Sequence, residues 1–322
     1  MEQRRLGRSG LTVSRLGLGT MTWGRDTDVH EAGDQMKAFL AAGGTLLDTA
    51  AGYGEGESER VIGGLLASAF DRSEVVLATK AGISRRTGER VVDTSRKALL
   101  DSLDGSLARL GVDHVDLWQV HAWSDDTDLT ETLSAVDHAV ASGRTRYAGI
   151  SNYSGWKTGR AATWQESAPG RAPLVSTQME YSLLQRGIER EVLAAADALG
   201  LGVLPWSPLG AGVLTGKYRS GTPSDSRAAS PHFARFIERF LDDRSRRIVD
   251  AVCTAADGLD VAPLEVALAW VRDAPGVTAP IVGARTAAQL RVVLVSERLT
   301  LPIEIREALD EVSAPPSGYP DR

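Results

Sequence analysis

Asp48, Lys80, His121, Asn152, Gln178 and Trp206 follow one another at intervals of 32, 41, 31, 26 and 28 residues. Each interval is about the length of one strand-plus-helix unit, and each residue closes a short apolar run. In a parallel α/β barrel the groups at the C-terminal ends of the strands face one mouth, so these side chains are expected to converge there. Tyr53 lies five residues after Asp48, in Ala50-Ala51-Gly52-Tyr53-Gly54-Glu55-Gly56. The flanking glycines allow a large side chain to turn back over that mouth. A carboxylate, an ammonium, an imidazole and a phenol gathered in this way are the groups of general acid–base chemistry.

Taken singly, none of them is distinctive. A strand-end aspartate is commonly a turn former, an isolated lysine a solvated charge, and a histidine or tryptophan part of the packing. The signal lies in the set, which occupies the same end of consecutive strands. Lysine usage sharpens it. The only lysines are Lys37, Lys80, Lys97, Lys157 and Lys217, and arginine supplies the other 31 basic residues. Two of the five, Lys80 and Lys217, fall where the mouth is expected. A lysine retained in so arginine-rich a chain points to chemistry that needs a compact charge with a tunable pKa.

The elements that must position these groups are legible as an alternation. Strands are expected at 15–19, 45–48, 75–79, 115–120, 147–150, 175–178, 202–206 and 278–282. The β-branched, apolar run at 75–79 has the character of a buried strand. Helices are expected at about 28–42 and at 94–110. In the second, Leu99, Leu100, Leu103, Leu107 and Leu110 share one face, and Gly111 ends it. Gly7 and Ser9-Gly10, between short runs at 4–6 and 11–13, predict a small hairpin ahead of the first barrel strand. Buried, non-alternating strands separated by helices imply a parallel sheet. Eight such units in 322 residues suit a closed (β/α)8 TIM barrel, read as a single α/β domain over residues 1–322. The stretch between 206 and 278 holds a Gly/Ser/Pro-rich loop at 216–232, then helical patterns near 234–257 and 263–273. A long loop and extra helices therefore precede the last strand, and a loop of that length is expected to be functional.

Composition narrows the function. With 43% hydrophobic and 24% charged residues the chain is ordinarily globular. The net charge of −6, without a basic run, argues against nucleic acid as a partner. Cys253 is the single cysteine, which excludes a disulfide framework and a cysteine-rich metal site. No metal-spaced histidine cluster is present, and no metal is expected. The opening residues lack the apolar core of a signal peptide, and no stretch approaches the roughly 20 apolar residues of a membrane span. A cytoplasmic protein without a membrane partner is expected. Two glycine motifs mislead. Gly17-Leu18-Gly19-Thr20-Met21-Thr22 lacks the third glycine of the dinucleotide fingerprint, and 212–217 resembles a phosphate loop but has Ala211 and Tyr218 at two required places.

The order and spacing of several segments together resemble the aldo-keto reductases over nearly the whole chain. These are Gly17-Leu18-Gly19-Thr20-Met21, Leu47-Asp48-Thr49-Ala50 with Tyr53-Gly54, Ala78-Thr79-Lys80, and Asp116-Leu117-Trp118-Gln119-Val120-His121. Further on come Gly149-Ile150-Ser151-Asn152-Tyr153, Gln178-Met179-Glu180-Tyr181, Trp206-Ser207-Pro208-Leu209, Leu214-Thr215-Gly216-Lys217-Tyr218 and Val282-Gly283-Ala284-Arg285. The Gly-Lys-Tyr segment most resembles the branch that includes potassium-channel β-subunits and many bacterial reductases.

The resemblance implies an NADPH-dependent reductase of aldehydes or ketones, with a small-molecule carbonyl substrate as partner and a catalytic set of Asp48, Tyr53, Lys80 and His121. Carbonyl reduction needs a hydride donor and an acid for the developing alkoxide. Tyr53 would be that acid, Lys80 would lower its pKa, and Asp48 would hold Lys80 charged. His121 and Tyr53 would donate hydrogen bonds to the carbonyl oxygen. The resemblance also implies that Ser151, Asn152 and Gln178 bond the nicotinamide amide and that Trp206 stacks on its ring. Ser207, Leu209 and Lys217 would line the pyrophosphate, and Arg285 with Gln289 would meet the 2′-phosphate of NADP. Thr20, Met21 and Gly283 complete the expected cofactor contacts. Met21, Trp23, Trp123 and the 216–232 loop are the expected pocket walls. Where the family commonly has Glu-Asn on the adenine, this chain has Val292-Val293, so those hydrogen bonds are absent or supplied elsewhere. Two rival functions are an NADP(H)-binding regulatory or sensor subunit with slow catalysis, and a lyase using Lys80 as a Schiff base.

Overall fold

A computed structural model of the protein describes residues 1–86, 88–219, 221, 237–316 and 318. Its first two strands, β1 (Gln3–Arg5) and β2 (Thr12–Ser14), pair antiparallel as the expected hairpin. The hairpin closes the N-terminal end of a barrel, with Leu6 and Val13 packed against interior residues Leu46, Ala78, Leu117 and Leu204. Gly7 turns it with a φ of 60°, where any β-carbon would lie 2.3 Å from the Gly200 carbonyl oxygen. Only glycine fits such a turn.

The barrel itself has eight strands, all parallel to their neighbours. They are β3 (Gly17–Gly19), β4 (Leu46–Asp48), β5 (Val76–Ala81), β8 (Val115–Val120), β9 (Thr145–Ser151), β10 (Leu174–Glu180), β11 (Gly202–Trp206) and β12 (Ile281–Val282). Each pairs with the next, and β12 pairs with β3 to close the ring. This is the (β/α)8 architecture expected from the alternation, with all eight strands in place. The last is shorter than 278–282 predicts. Between β5 and β8 the structure adds a hairpin, β6 (Ile83–Arg86) with β7 (Glu89–Val92). That hairpin has only Ile83, Val91 and Val92 as apolar residues, too few to form a run that announces it.

The helices between the strands are α1 (Val29–Ala41), α2 (Glu57–Ser68), α3 (Arg96–Leu110), α4 (Leu129–Ala141), α5 (Gly155–Glu166) and α6 (Val192–Leu199). After β11 come α7 (Asp243–Leu259) and α8 (Pro263–Arg272), and after β12 come α9 (Ala287–Val295) and α10 (Ile303–Ser313). Local chemistry sets their ends. Asp28 accepts from the amides of His30 and Glu31 at 2.9 Å to start α1, and Gly111 ends α3 in the left-handed region. Asp242 caps α7, which begins at Asp243; of the pattern expected near 234–257, residues 234–236 lie outside the described residues, and Ile237 and Glu238 are helical. Residues 220 and 222–232 of the expected long loop lie outside the described residues.

Two apolar layers hold the strands. On β8, Leu117 joins the barrel interior, while Trp118 and Val120 pack outward against the helices. Among the described residues no helix is long and apolar enough to cross a membrane. None of their His, Cys, Asp and Glu side chains form a group of three or more able to hold a metal ion.

Candidate active site

The C-terminal ends of the strands form the mouth, and Lys80 on β5 is its most constrained side chain. It is fully buried, and its ammonium donates to Asp48 Oδ2 at 2.6 Å, to the Thr49 carbonyl at 2.9 Å and to the Tyr53 hydroxyl at 3.4 Å. An ammonium has three protons, so all three are directed. Burial works against its charge, but Asp48 and then Tyr53 outweigh it and hold the pKa above the ordinary lysine value. Asp48 closes β4 and is itself buried; its second oxygen accepts from Gln178 Nε2 on β10 at 2.9 Å.

Tyr53 reaches this pair from the turn after β4. Its amide donates to the Ala50 carbonyl at 3.0 Å, and a single helical turn follows, in which Gly54, Glu55 and Gly56 all have positive φ. The tight bend returns the ring toward the mouth. Because Lys80 donates to the Tyr53 oxygen, the phenolic proton is left for another acceptor. The ring also stands edge-on to His121, with centroids 6.0 Å apart. Lys80 does lower the Tyr53 pKa, as expected, yet the net shift is upward. Desolvation raises it, Asp48 adds to the rise, and the Lys80 ammonium offsets only part. The phenol therefore keeps its proton throughout the neutral range, as a resting acid must. His121 is shifted the opposite way. Burial first, then Lys80 and Arg90, push its pKa well below the usual histidine value, so its imidazole is neutral at physiological pH.

Four further strand ends are tied to one another. Asn152, just past β9, has a φ of 59° and donates from Nδ2 to the His121 carbonyl at 2.9 Å and to Ser151 Oγ at 3.0 Å. Its Oδ1 accepts from Trp206 Nε1 at 3.1 Å. Ser151 Oγ donates to the Gln178 carbonyl at 2.9 Å. Gln178 thus spends one N–H on Asp48, and its side-chain oxygen is the acceptor it retains. Asparagine tolerates left-handed backbone, so the conformation of Asn152 has a signal in the sequence; the same conformation at Ser207 (φ 55°) has none.

The arc expected to hold phosphates runs from β11 to α9. Ser207 Oγ accepts from the Ala211 amide at 2.9 Å and folds a turn rich in positive φ, Gly210 to Gly212. Gly212 has a φ of 93°, and a β-carbon there would come within 3.2 Å of Lys217 Nζ. The chain is bare where an anion would approach that cation, an arrangement that fits a phosphate group. Leu209 is half-buried, and Lys217, Gly283 and Gln289 are exposed. Arg285 precedes α9; its amide donates to Gln289 Oε1 at 3.0 Å, and its carbonyl accepts from Thr27 Oγ1 at 3.0 Å. The Ala287 amide at the start of α9 is taken by Glu31 at 2.6 Å. Cationic side chains, a bare loop crest and the Trp206 ring together fit an anionic dinucleotide.

Two expected contacts are corrected. Thr20 is fully buried, its hydroxyl held between the Asp48 carbonyl at 3.2 Å and Ser58 Oγ at 2.7 Å, so it presents no surface to a cofactor. Trp23 is also fully buried, and its indole donates to Gln35 Oε1 at 3.2 Å, so it walls no pocket. Met21 is exposed beside them. Trp123 is partly exposed and stacks edge-on with Tyr153 and Trp156, under the Lys157 ammonium at 4.6 Å. Val292, on α9, is exposed, whereas Val293 is buried.

A model of the aldo/keto reductase family matches residues 15–314. Among known proteins the chain is 38% identical over 336 residues to YrpG, an uncharacterized oxidoreductase of Bacillus subtilis, which spans 99% of this chain and 98% of that one. It is 34% identical over 326 residues to a probable voltage-gated potassium channel subunit beta of Oryza sativa, covering 100% and 98% of the two chains. It is also 33% identical over 300 residues to the L-glyceraldehyde 3-phosphate reductase of Escherichia coli K12, covering 90% and 86%.

Proposed function

The chain belongs to the aldo/keto reductase family, and we propose that it is an NADPH-dependent reductase converting aldehydes or ketones to alcohols, with Tyr53 as the proton donor. One observation carries this reading: the three directed protons of Lys80, which bind Asp48, the Thr49 carbonyl and the Tyr53 oxygen together. That arrangement leaves the phenolic proton pointing elsewhere while the phenol stays protonated. It is the requirement for a general acid at neutral pH.

NADPH, when bound, supplies the hydride for the carbonyl carbon. Trp206 would stack on its nicotinamide, and Ser151, Asn152 and the free side-chain oxygen of Gln178 would bond the amide. Ser207, Leu209 and Lys217 would line the pyrophosphate, and Arg285 with Gln289 would hold the 2′-phosphate. The remaining work belongs to the protein. Tyr53 O–H and a His121 N–H donate to the substrate oxygen. As negative charge grows there, Tyr53 gives up its proton, and the adjacent Lys80 ammonium stabilises the phenolate that results. Asp48, held by Gln178 on its other oxygen, keeps the ammonium in place. Trp123 and Met21 offer the apolar wall for a carbonyl substrate.

The rival reading, an NADP(H)-binding regulatory subunit with slow catalysis, draws on the likeness to potassium channel β subunits. The complete Asp48–Lys80–Tyr53 contact favours turnover. Cofactor oxidation followed across a panel of aldehydes, quinones and ketones, with NADH alongside, tests the choice. Turnover with several carbonyls and NADPH is expected, and tight NADPH binding with no turnover on any of them would favour the subunit.

Cofactor choice gives a separate prediction. The first amide of α9 is occupied by Glu31, so recognition of a 2′-phosphate falls on the Arg285 guanidinium. A charge-assisted hydrogen bond contributes about 1.5–3 kcal/mol, roughly one to two powers of ten in affinity. Arg285→Ala is expected to weaken NADPH binding by that factor and to leave NADH binding nearly unchanged. Titration of cofactor fluorescence reads both. Equal losses would mean that Arg285 has a structural role and that the preference for NADPH must be withdrawn.

A further inference from the structure

Inside the barrel, directly below the mouth, several buried polar atoms have no protein partner among the described residues. They are both side-chain atoms of Gln119, Nδ1 of His121 and Oγ of Ser176. Gln119 and Ser176 are fully buried. Buried polar atoms left unpaired are costly, so each is expected to meet a partner.

Strand geometry brings them to one place. Leu117 on β8 faces the interior and Trp118 and Val120 face the helices, so Gln119 faces inward. The His121 amide donates to the Ala81 carbonyl at 2.8 Å and continues the ladder. His121 therefore lies on the same inner face as Gln119, about 6–7 Å further up. On the adjacent β9 the facing residue is Gly149. A β-carbon there would lie 3.2 Å from Gln119 Cγ and 2.2 Å from Ser176 Oγ. With no side chain on β9, Ser176 Oγ takes the place a Gly149 β-carbon would occupy and so comes beside Gln119, on the face below the imidazole. Neither polar atom of the Gln119 side chain meets His121 Nδ1 at hydrogen-bond distance, so a link between them needs one bridging molecule.

We propose that Gln119, through one water molecule also held by Ser176, hydrogen-bonds His121 Nδ1 and fixes the imidazole with its proton on Nε2. The inference rests on the reading of His121 as a donor to the substrate oxygen. A neutral imidazole has a single N–H, so it donates from Nε2 only if Nδ1 accepts. The water gives one O–H to Nδ1 and the other to Gln119 Oε1 and accepts from the Ser176 hydroxyl. That meets the two to four polar partners that a buried water requires. The other groups facing His121 are the Tyr53 ring and the cations Lys80 and Arg90. With its charge suppressed by them and by burial, the tautomer decides what the ring can donate. Gln119 is thus a positioning residue, acting through His121.

The test is nitrogen NMR of the histidine-labelled protein, with the His121 signals assigned by their loss in His121→Asn. The wild type is expected to show Nε2–H. Gln119→Glu places a carboxylate acceptor beneath the ring and is expected to move the proton to Nδ1 and raise the His121 pKa. Gln119→Met, of similar size, is expected to give a mixture of tautomers. In both variants kcat should fall by about tenfold or more, as when an orienting partner is lost and the wrong tautomer forms, with cofactor affinity unchanged. A wild-type Nδ1–H tautomer would overturn the proposal. So would the wild-type tautomer and pKa persisting in either variant that folds. Tautomer shifts in a protein that reduces no carbonyl would instead overturn the functional reading and leave the Gln119–His121 link standing.

Discussion

Replacing Tyr53 with phenylalanine is expected to cut turnover by roughly 10²–10⁴-fold, the usual size of a general-acid contribution, and to leave cofactor binding little changed. The variant keeps the ring that stands edge-on to His121 and removes only the hydroxyl on which Lys80 bonds. The pH dependence of the wild type belongs to the same prediction. Burial raises the Tyr53 pKa, and burial with Lys80 and Arg90 depresses that of His121. No limb is therefore expected near about 6.5, the ordinary histidine value, and turnover should decline only above about 10, the ordinary tyrosine value. A kcat series across that range reads both. A Tyr53→Phe protein within a few-fold of wild type would assign the proton to another donor.

The second large effect concerns Lys80. Lys80→Met leaves the Asp48 carboxylate buried, with Gln178 as its remaining side-chain partner. Removing one member of a buried pair costs about 3–5 kcal/mol. The expected result is a matching fall in unfolding free energy by denaturant titration, together with loss of turnover. The double variant Lys80→Met with Asp48→Leu removes both charges and should regain much of the stability, since an apolar replacement of a buried ion pair is often neutral. It should regain no activity. If the double variant is no more stable than the single one, the cost is not that of an unpaired carboxylate. Lys80→Arg retains the charge and is expected to be badly impaired, because a planar guanidinium cannot direct three short contacts as the ammonium does. The pair's pH dependence has a definite sign. The native pKa of Lys80 lies above its ordinary value, so its contribution is complete below about 10.4 and is lost as pH rises through the native value.

The eight barrel strands are legible because they are largely buried on both faces and so read as short apolar runs, six of them leading into a polar or aromatic residue at the C-terminal end. Asp48, Lys80, His121, Asn152, Gln178 and Trp206 could be placed at one mouth on that basis alone. What escaped depends on contacts between distant segments. Thr20 and Trp23 sit in a loop whose composition suits a pocket, but their polar atoms are met by Ser58 on α2 and Gln35 on α1. Nothing local announces such partners. The β6–β7 hairpin is too polar for a hydrophobic pattern to register it. The direction of the Tyr53 shift depends on the balance between desolvation and one ammonium, and only the three-dimensional packing sets that balance. Gln119 sits inside a recognisable motif, yet its meaning depends on Gly149 and Ser176 beside it on neighbouring strands.

In the proposed reaction the Asp48–Lys80–Tyr53 assembly delivers a proton to a carbonyl oxygen while NADPH reduces the carbon. Mass spectrometry of the alcohol formed from an aldehyde and NADPH deuterated at the transferable position of its nicotinamide tests this most directly. The wild-type protein should yield alcohol carrying one deuterium on the former carbonyl carbon, with hydrogen from water on oxygen, and Tyr53→Phe should form it at a small fraction of that rate with the cofactor still bound. Failure of the wild type to transfer deuterium to any carbonyl of the panel while binding NADPH tightly, or undiminished transfer by Tyr53→Phe, would contradict it.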